Sequence, residues 1–443
     1  MNKTKKAMAI GLSILAMMTN NLSVFAAEPD NKTTTLTYQV NSSYDWTIHS
    51  SIDFGADAGA NQTVDRNGNQ VKVLKNVIPA GKRLRIKVKG TGENNAFALS
   101  NGKTQTLPYD VSDDNGSVGV NGSVLSVPAG VNTATQNMNF KLHTKTGSAE
   151  VAGSYDGNVV YNSEVVDAGN EVMSDGTIGV NMYVDLPQEA LADENSYLQI
   201  TDADNKVSTK KIHDMNVLGN EVMVSVPVEA PDMTKKITVD VYANNNKVKS
   251  TSTTLKDVAE KTIAESTSKL EVDYLKTMLN YGGYTQEVFN KNLDVMAYQN
   301  VKAELQQSMN KITDETFSKY KTIVDGEQNG VSIKAISLTT DSLISINCKF
   351  NIESSINVSD LETKIDGEDS TISKNSNVYY LKLANVPYNK LDEIHQFKVG
   401  NISVKASAFS YGYSCMKYAP NSTVAMQIKA MYLFQQAAKT YLG

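Results

Sequence analysis

The stretch YLKTMLNYGGYTQEVFN, Tyr274 to Asn290, has a close echo in the last residues of the chain, IKAMYLFQQAAKTYLG, Ile428 to Gly443. Leu275, Lys276 and Met278 return as Ile428, Lys429 and Met431, and Tyr281 and Phe289 are answered by Phe434 and Leu442. In the first copy Leu275, Met278, Leu279, Gly282 and Phe289 recur at helical spacing and predict one apolar stripe. Gly282 and Gly283 each cost about 1 kcal/mol against alanine inside a helix, so something must press close to the backbone there. Packing against a sheet is the expected cause.

Upstream of both helices the pattern is the same. KVKSTSTT followed by LKDVAEKTIAES matches ISVKA followed by SAFSYGYSCMKYAP, each a strand, a short helix and a break before the long helix. In the short helix Leu255, Val258, Ala259 and Ile263 share one face. Further upstream, TIGVNMYVDLP, SYLQI, KVSTKKI and EVMVSVPV, and later VSIKAISL, LISINCKFNI, NVYYLKLANV and HQFKV, read as strands. Asn244 to Asn246 supplies a tight hairpin turn. Agreement in several elements at once marks an internal duplication: repeat 1 over residues 164–291, a polar connecting segment at 292–327, and repeat 2 over 328–443. A helix pair on each sandwich buries more than an isolated helix, which is marginal in water.

Residues 37–163 form a third unit of short strands: LTYQV, YDWTIH, VKVLKNV, RLRIKVK, FALS, VLSVPA, MNFKLH and GNVVYN. The phrases VIPAG and SVPAG mark equivalent turns in which Gly81 and Gly130 take dihedrals that other residues avoid. The fold class expected for the whole is mainly β with helices. Tandem β-sandwich domains, Ig-like or fimbrial-like, are arranged so that the second and third each end in a packed helix pair.

Ahead of these units, Lys3, Lys5 and Lys6 precede an apolar run from Ala7 to Met18 and small residues at Ala26 and Ala27. That is the pattern of a secretory signal peptide over residues 1–26, followed by a polar leader at 27–36. No later run reaches the roughly 20 apolar residues of a membrane span, so no transmembrane segment is expected in the mature chain. The expected location is secreted or extracellular, the mature protein being released or held at a cell wall by contacts rather than by a covalent anchor.

Two resemblances follow from these residues. AEVAGSYDGNVVYN, Ala149 to Asn162, with Tyr155, Val159 and Tyr161 on one face, resembles the terminal strand of secreted fimbrial-like and pilin-like sandwiches. NMYVDLP, MLNYGGYTQEVFN, SAFSYGYSCMKYA and AMYLFQQAAKTYL resemble a module of secreted proteins of Gram-positive gut bacteria, the Clostridia and their relatives. Gly283 and Thr285 depart from the alanine-rich form of that helix. The second resemblance implies an extracellular surface protein and carries no activity with it.

Chemistry is sparse. The formal charge is −6, and removal of the three signal-peptide lysines brings it to about −9, which opposes nucleic-acid binding. The one basic cluster, KRLRIKVK at Lys82 to Lys89, reads as a half-buried strand with a basic outer face; an anionic cell-wall polymer is the sharper alternative. His49, His143, His213 and His395 share no spacing, and no G-x-S-x-G turn occurs. VSDDNG at 111–116 and TDADNK at 201–206 read as turns, and the second lacks the glycine and distal glutamate of a calcium loop. Cys348 and Cys415 form a disulfide or remain two buried thiols.

Tyr44 and Trp46 are the candidate ligand contacts. Trp46 could stack on a sugar ring, although Tyr44, Trp46 and Ile48 alternate as one strand face and more often build a core. Twenty-one tyrosines against 10 phenylalanines favour contact surfaces for protein or glycan partners. The expectation is therefore a non-enzymatic protein without cofactor or metal, acting in adhesion, envelope architecture or extracellular assembly. The alternative is a carbohydrate-binding protein serving an extracellular glycan-degrading system.

Overall fold

A computed structural model describes residues 42–55, 62–102, 105–114, 116–144, 153–326, 330–340 and 342–442. The signal and leader segments and the strand expected at LTYQV lie outside the described residues. The fold is mainly β, built from antiparallel sheets with a few helices.

The first sandwich holds β1 (Ser43–Thr47), β2 (Gln62–Val77), β3 (Lys82–Lys89), β4 (Ala98–Ser100), β5 (Thr106–Asp113), β6 (Gly116–Ser117), β7 (Gly122–Pro128), β8 (Ala134–Thr144) and β9 (Val160–Asp167). One sheet runs β1-β2-β8-β5-β4 with β6 on β5, and the other runs β7-β3-β9. Val71, Leu84, Ile86, Val127, Met138 and Phe140 fill the space between them. Both PAG turns close from Pro79 O to Lys82 N–H and from Pro128 O to Val131 N–H. Gly81 (φ 74°) and Gly130 (φ 91°) occupy the left-handed positions that those turns require. Tyr155, Val159 and Tyr161 all pack on this core.

The expected limits of this unit need adjustment. Strand β9 continues to Asp167, so a boundary at 163 falls inside it. VSDDNG is only partly a turn, because Val111 to Asp113 complete β5 and Val111 is buried.

Repeat 1 contains β10 (Glu171–Val172), β11 (Gly179–Asp185), the short α1 (Gln188–Ala192), β12 (Tyr197–Thr201), β13 (Val207–Lys211), β14 (Val217–Leu218), β15 (Glu221–Pro227), β16 (Ile237–Ala243) and β17 (Asn246–Thr253). Helices α2 (Leu255–Glu265) and α3 (Lys269–Phe289) follow, and α4 (Lys302–Asn310) lies in the connecting segment. Repeat 2 contains β18 (Ile323–Asp325), β19 (Val331–Thr340), β20 (Ile344–Ile352), β21 (Thr363–Ile365), β22 (Glu368–Asp369), β23 (Ser373–Asn375), β24 (Val378–Val386), β25 (His395–Val399) and β26 (Ile402–Ala406), then α5 (Ala408–Tyr418) and α6 (Thr423–Leu442).

The two repeats have one topology. Sheets β10-β11-β15-β14 and β13-β12-β16-β17 in repeat 1 correspond strand for strand to β19-β20-β24-β23 and β22-β21-β25-β26 in repeat 2, where β18 is added beside β26. The hairpin before α2 turns on Asn244 (φ 49°) and Asn245 (φ 61°), as the asparagine run requires. Thr254, Ser268 and Ser407 cap α2, α3 and α5 with their hydroxyls, and the Ser422 hydroxyl accepts the N–H of Ala425 at the start of α6. These four helices therefore begin where a local donor problem is solved.

Packing differs from the expectation of two separate sandwiches, each with its own helix pair. One core runs from Ile178 to Leu442 through both repeats. The long helices pack on each other: Tyr281 stacks on Phe434 at 5.9 Å between ring centroids, and Tyr274 stacks on Tyr441 at 5.1 Å. Tyr388 closes the cluster at 5.0 Å from Phe434. Helix α3 is consequently buried nearly all round, and its polar Thr277, Asn280, Thr285 and Gln286 are enclosed too. Gln286 meets this by donating to the carbonyls of Asn292 and Val295 and accepting the N–H of Ala297.

The glycine pair is pressed, as expected, although not by a sheet. A Cβ on Gly282 would lie 2.5 Å from Met233 Sδ, and one on Gly283 would lie 2.0 Å from the Tyr298 ring. Phe289, assigned to the stripe, is 49% exposed instead. The 292–327 segment is not a solvated connector, because Ala297, Val301, Met309, Ile312, Phe317 and Tyr320 enter the shared core. Both cysteines are free; Cys348 is buried in β20, and burial pushes its thiol pKa up.

Candidate functional site

Strand β3 explains how the first sandwich meets repeat 1. Leu84, Ile86 and Val88 turn inward, which leaves the basic residues on the other face. That face is covered rather than free. Arg83 is fully buried and donates to both carboxylate oxygens of Glu221 at 2.9 Å and to Ser126 Oγ at 3.2 Å. Its guanidinium lies 3.6 Å from the centroid of the Tyr183 ring. Arg85 pairs with Glu164 and Glu171, and Lys87 with Glu164 and Glu271. The basic stripe is thus shared between Glu164 of its own sandwich and Glu171, Glu221 and Glu271 of the neighbouring repeat, partners that charge alternation along β3 does not reveal.

Beside Arg83 and Glu221 the joint opens into a cleft of about 680 Å³. One wall is the end of β5 with β7 and Gln136 of β8, and the other is β11, β13, β14 and β15. The walls are rich in hydrogen-bonding groups. Asp114 accepts from Gln136 at 3.0 Å and from Asn137 at 3.1 Å, and Asn181 accepts from Ser225 at 2.7 Å. Lys210, Lys211 and Asp214 stand at one side, with Met215 and Met223 as apolar surface. Burial, only partly offset by Arg83, holds the Glu221 carboxyl above its ordinary range, and burial also pushes the Tyr183 hydroxyl pKa up. The arrangement suits a polar ligand held by several neutral and charged contacts.

Of the cleft residues only Asp113 and Asp114 fall in a segment singled out by its charge, VSDDNG, and that segment reads as a turn, since the cleft is assembled from strands far apart in the chain. Trp46 packs partly buried against the first core, and Tyr44 is 39% exposed on the same strand. Neither lines the cleft. Ile48 is 43% exposed, so the expected three-residue core face is carried by Trp46 alone.

Among the described residues, one group of three metal-ligating side chains converges: Asp204, Glu229 and Asp232. Lys235 and Lys291 pair with Asp232 at 3.0 and 3.4 Å, Lys206 pairs with Asp204 at 3.3 Å, and Lys291 with Glu229 at 3.5 Å. Three ammonium groups thus match three carboxylates, and Asn292 donates to Asp232 at 2.7 Å. In TDADNK the Asp202 carboxylate accepts the N–H groups of Asp204 and Lys206, which makes it a turn brace. His49 sits edge-on to Phe140 and Tyr161, and His395 bonds Asp366 at 2.7 Å. His213 lies in a 3₁₀ turn after β13, and the side chain of His143 is outside the described residues.

No helix among the described residues is long and apolar enough to cross a membrane. Compared with known proteins, the chain matches no family model and no curated protein.

Proposed function

We propose that this is a non-catalytic extracellular protein acting in adhesion, envelope architecture or extracellular assembly, with the cleft between the first sandwich and repeat 1 as its ligand site. The cleft carries the reading: it is roomy and polar, and it is braced by the Arg83–Glu221 pair at a joint between two cores. Sites at domain joints walled by fixed polar groups are suited to recognition. Secretion is supported by the charged, apolar and small-residue pattern of the first 26 residues.

The test fills the cleft. Ser225→Trp should abolish binding of the purified protein to cell-wall or mucosal fractions while its melting temperature stays near that of the parent. Retained binding would remove the cleft from the proposal, and reproducible hydrolysis of any glycan in zymography would remove the non-catalytic reading. The amide and carboxylate groups on the walls also favour a second reading, a carbohydrate-binding protein serving a glycan-degrading system. A glycan array that responds to Ser225→Trp but not to Trp46→Ala would select it.

A further inference from the structure

The two repeats differ at one sheet edge. In repeat 2, β26 is covered on its outer side by β18, with Ile323 opposite Lys405, Val324 opposite Val404 and Asp325 opposite Ser403. Its counterpart β17 pairs only with β16, and among the described residues nothing bonds to its outer side. The diverted strand can be identified. Val165-Val166-Asp167-Ala168 stands before β10 as Ile323-Val324-Asp325-Gly326 stands before β19, yet Val165, Val166 and Asp167 pair with Leu84, Arg83 and Lys82 of the first sandwich. The first sandwich has thus taken the segment that would otherwise cover β17.

Counting back from the equivalent helix caps Thr254 and Ser407, the covered residues Ser403 to Lys405 correspond to Ser250 to Ser252. Thr251 is half-buried where its counterpart Val404, under β18, is buried, and Ser250 is exposed where Ser403 is half-buried; Ser252 and Lys405 are both exposed. Monomeric proteins blunt such edges with charge, proline or a bulge. In β17 the lysines and the bulge lie nearer the hairpin, at Lys247, Lys249 and the register shift beside Val248. Ser250, Thr251 and Ser252 carry none of these.

We propose that the open edge at Ser250–Ser252 is a strand-addition site for an extended segment of another polypeptide. The segment pairs antiparallel and has the chemistry of β18, two β-branched residues followed by an acid. Main-chain hydrogen bonds supply the affinity, and the alternating side chains supply the choice of partner. This surface is separate from the cleft and does not depend on it.

The probe is a fluorescent peptide of sequence KYKTIVDG, residues 319–326, titrated into the full-length protein and read by anisotropy and hydrogen exchange. The expected result is saturable binding, slowed exchange confined to residues 246–253, and at least tenfold weaker binding to Thr251→Pro. Should Thr251→Pro not fold, Ser250→Lys with Ser252→Lys takes its place, and exchange in the unsubstituted protein decides independently. Absence of binding, or protection elsewhere, overturns the proposal. So does protection of β17 without peptide that depends on protein concentration, which would assign the edge to a second copy. Binding that appears only after removal of residues 27–41 would assign the edge to the leader and overturn it likewise.

Discussion

Gly283 shows how a residue that weakens a helix on its own can be required by its neighbours. Alanine there would gain about 1 kcal/mol of helix propensity, but its Cβ would fall 2.0 Å from the Tyr298 ring, and overpacking costs about 1 to 3 kcal/mol. Gly283→Ala is therefore expected to lower the melting temperature, and a rise would show that Tyr298 moves aside freely. Met278 and Met431 are equivalent and almost fully buried. Each Met→Ala change should cost about 2 to 5 kcal/mol in denaturant unfolding. Lys276→Ala, which loses only an ion pair with the half-exposed Glu304, should cost about 1 kcal/mol or less. Equal effects of the lysine and methionine substitutions would contradict the packing described.

Elements were read from the sequence more reliably than their partners were. The duplicated order of strands, short helix and long helix was legible because period-two and helical patterns are local, as in EVMVSVPV and around Leu275. That α3 and α6 bury each other was not legible, since an apolar stripe does not say which surface it meets. The segment after α3 misled for a related reason. Its polar residues dominate the pattern, while Met309, Phe317 and Tyr320 enter the core at irregular spacing. Limited proteolysis should consequently spare residues 297–320 until the repeats unfold. Early cuts within α4, read by mass spectrometry, would restore the solvated-connector reading. The cleft was the least legible feature, because Arg83 and Glu221 meet only through the docking of two separate sheets.

Two cores at the scale of the whole molecule imply two unfolding transitions in calorimetry, not three, with both repeats melting together. A third transition would show that the repeats are independent. The joint between the cores should respond to acid. Burial alone would raise the pKa of Glu271, but Lys87 and Arg85 across the joint, with the Ser266 hydroxyl, bring it below its ordinary value of 4.5. Its contribution is complete above that value and is lost as pH falls below it. Glu221, raised by burial, acts in the opposite sense, and its share is lost as pH rises. Acidification from pH 5 to 3 is therefore expected to loosen docking, measured by energy transfer between dyes on the first sandwich and on repeat 1. Glu271→Gln should flatten that dependence; an unchanged pH profile would place the linkage elsewhere.

The last turn of α6 returns to the first sandwich, where Val120 N–H donates to the Leu442 carbonyl at 3.0 Å and the Asn121 amide donates to the Tyr441 carbonyl. This closure has a mechanical meaning. Tension applied between residues 42 and 442 is shared between that short bridge and the docked face of β3, so these contacts shield the inner strands of both repeats from extension. Only when bridge and docked face have both ruptured does the chain within the repeats extend. Optical tweezers should record a small early rupture that Asn121→Ala weakens, then the larger extension of the repeats; simultaneous release of all parts would mean that the bridge carries no load.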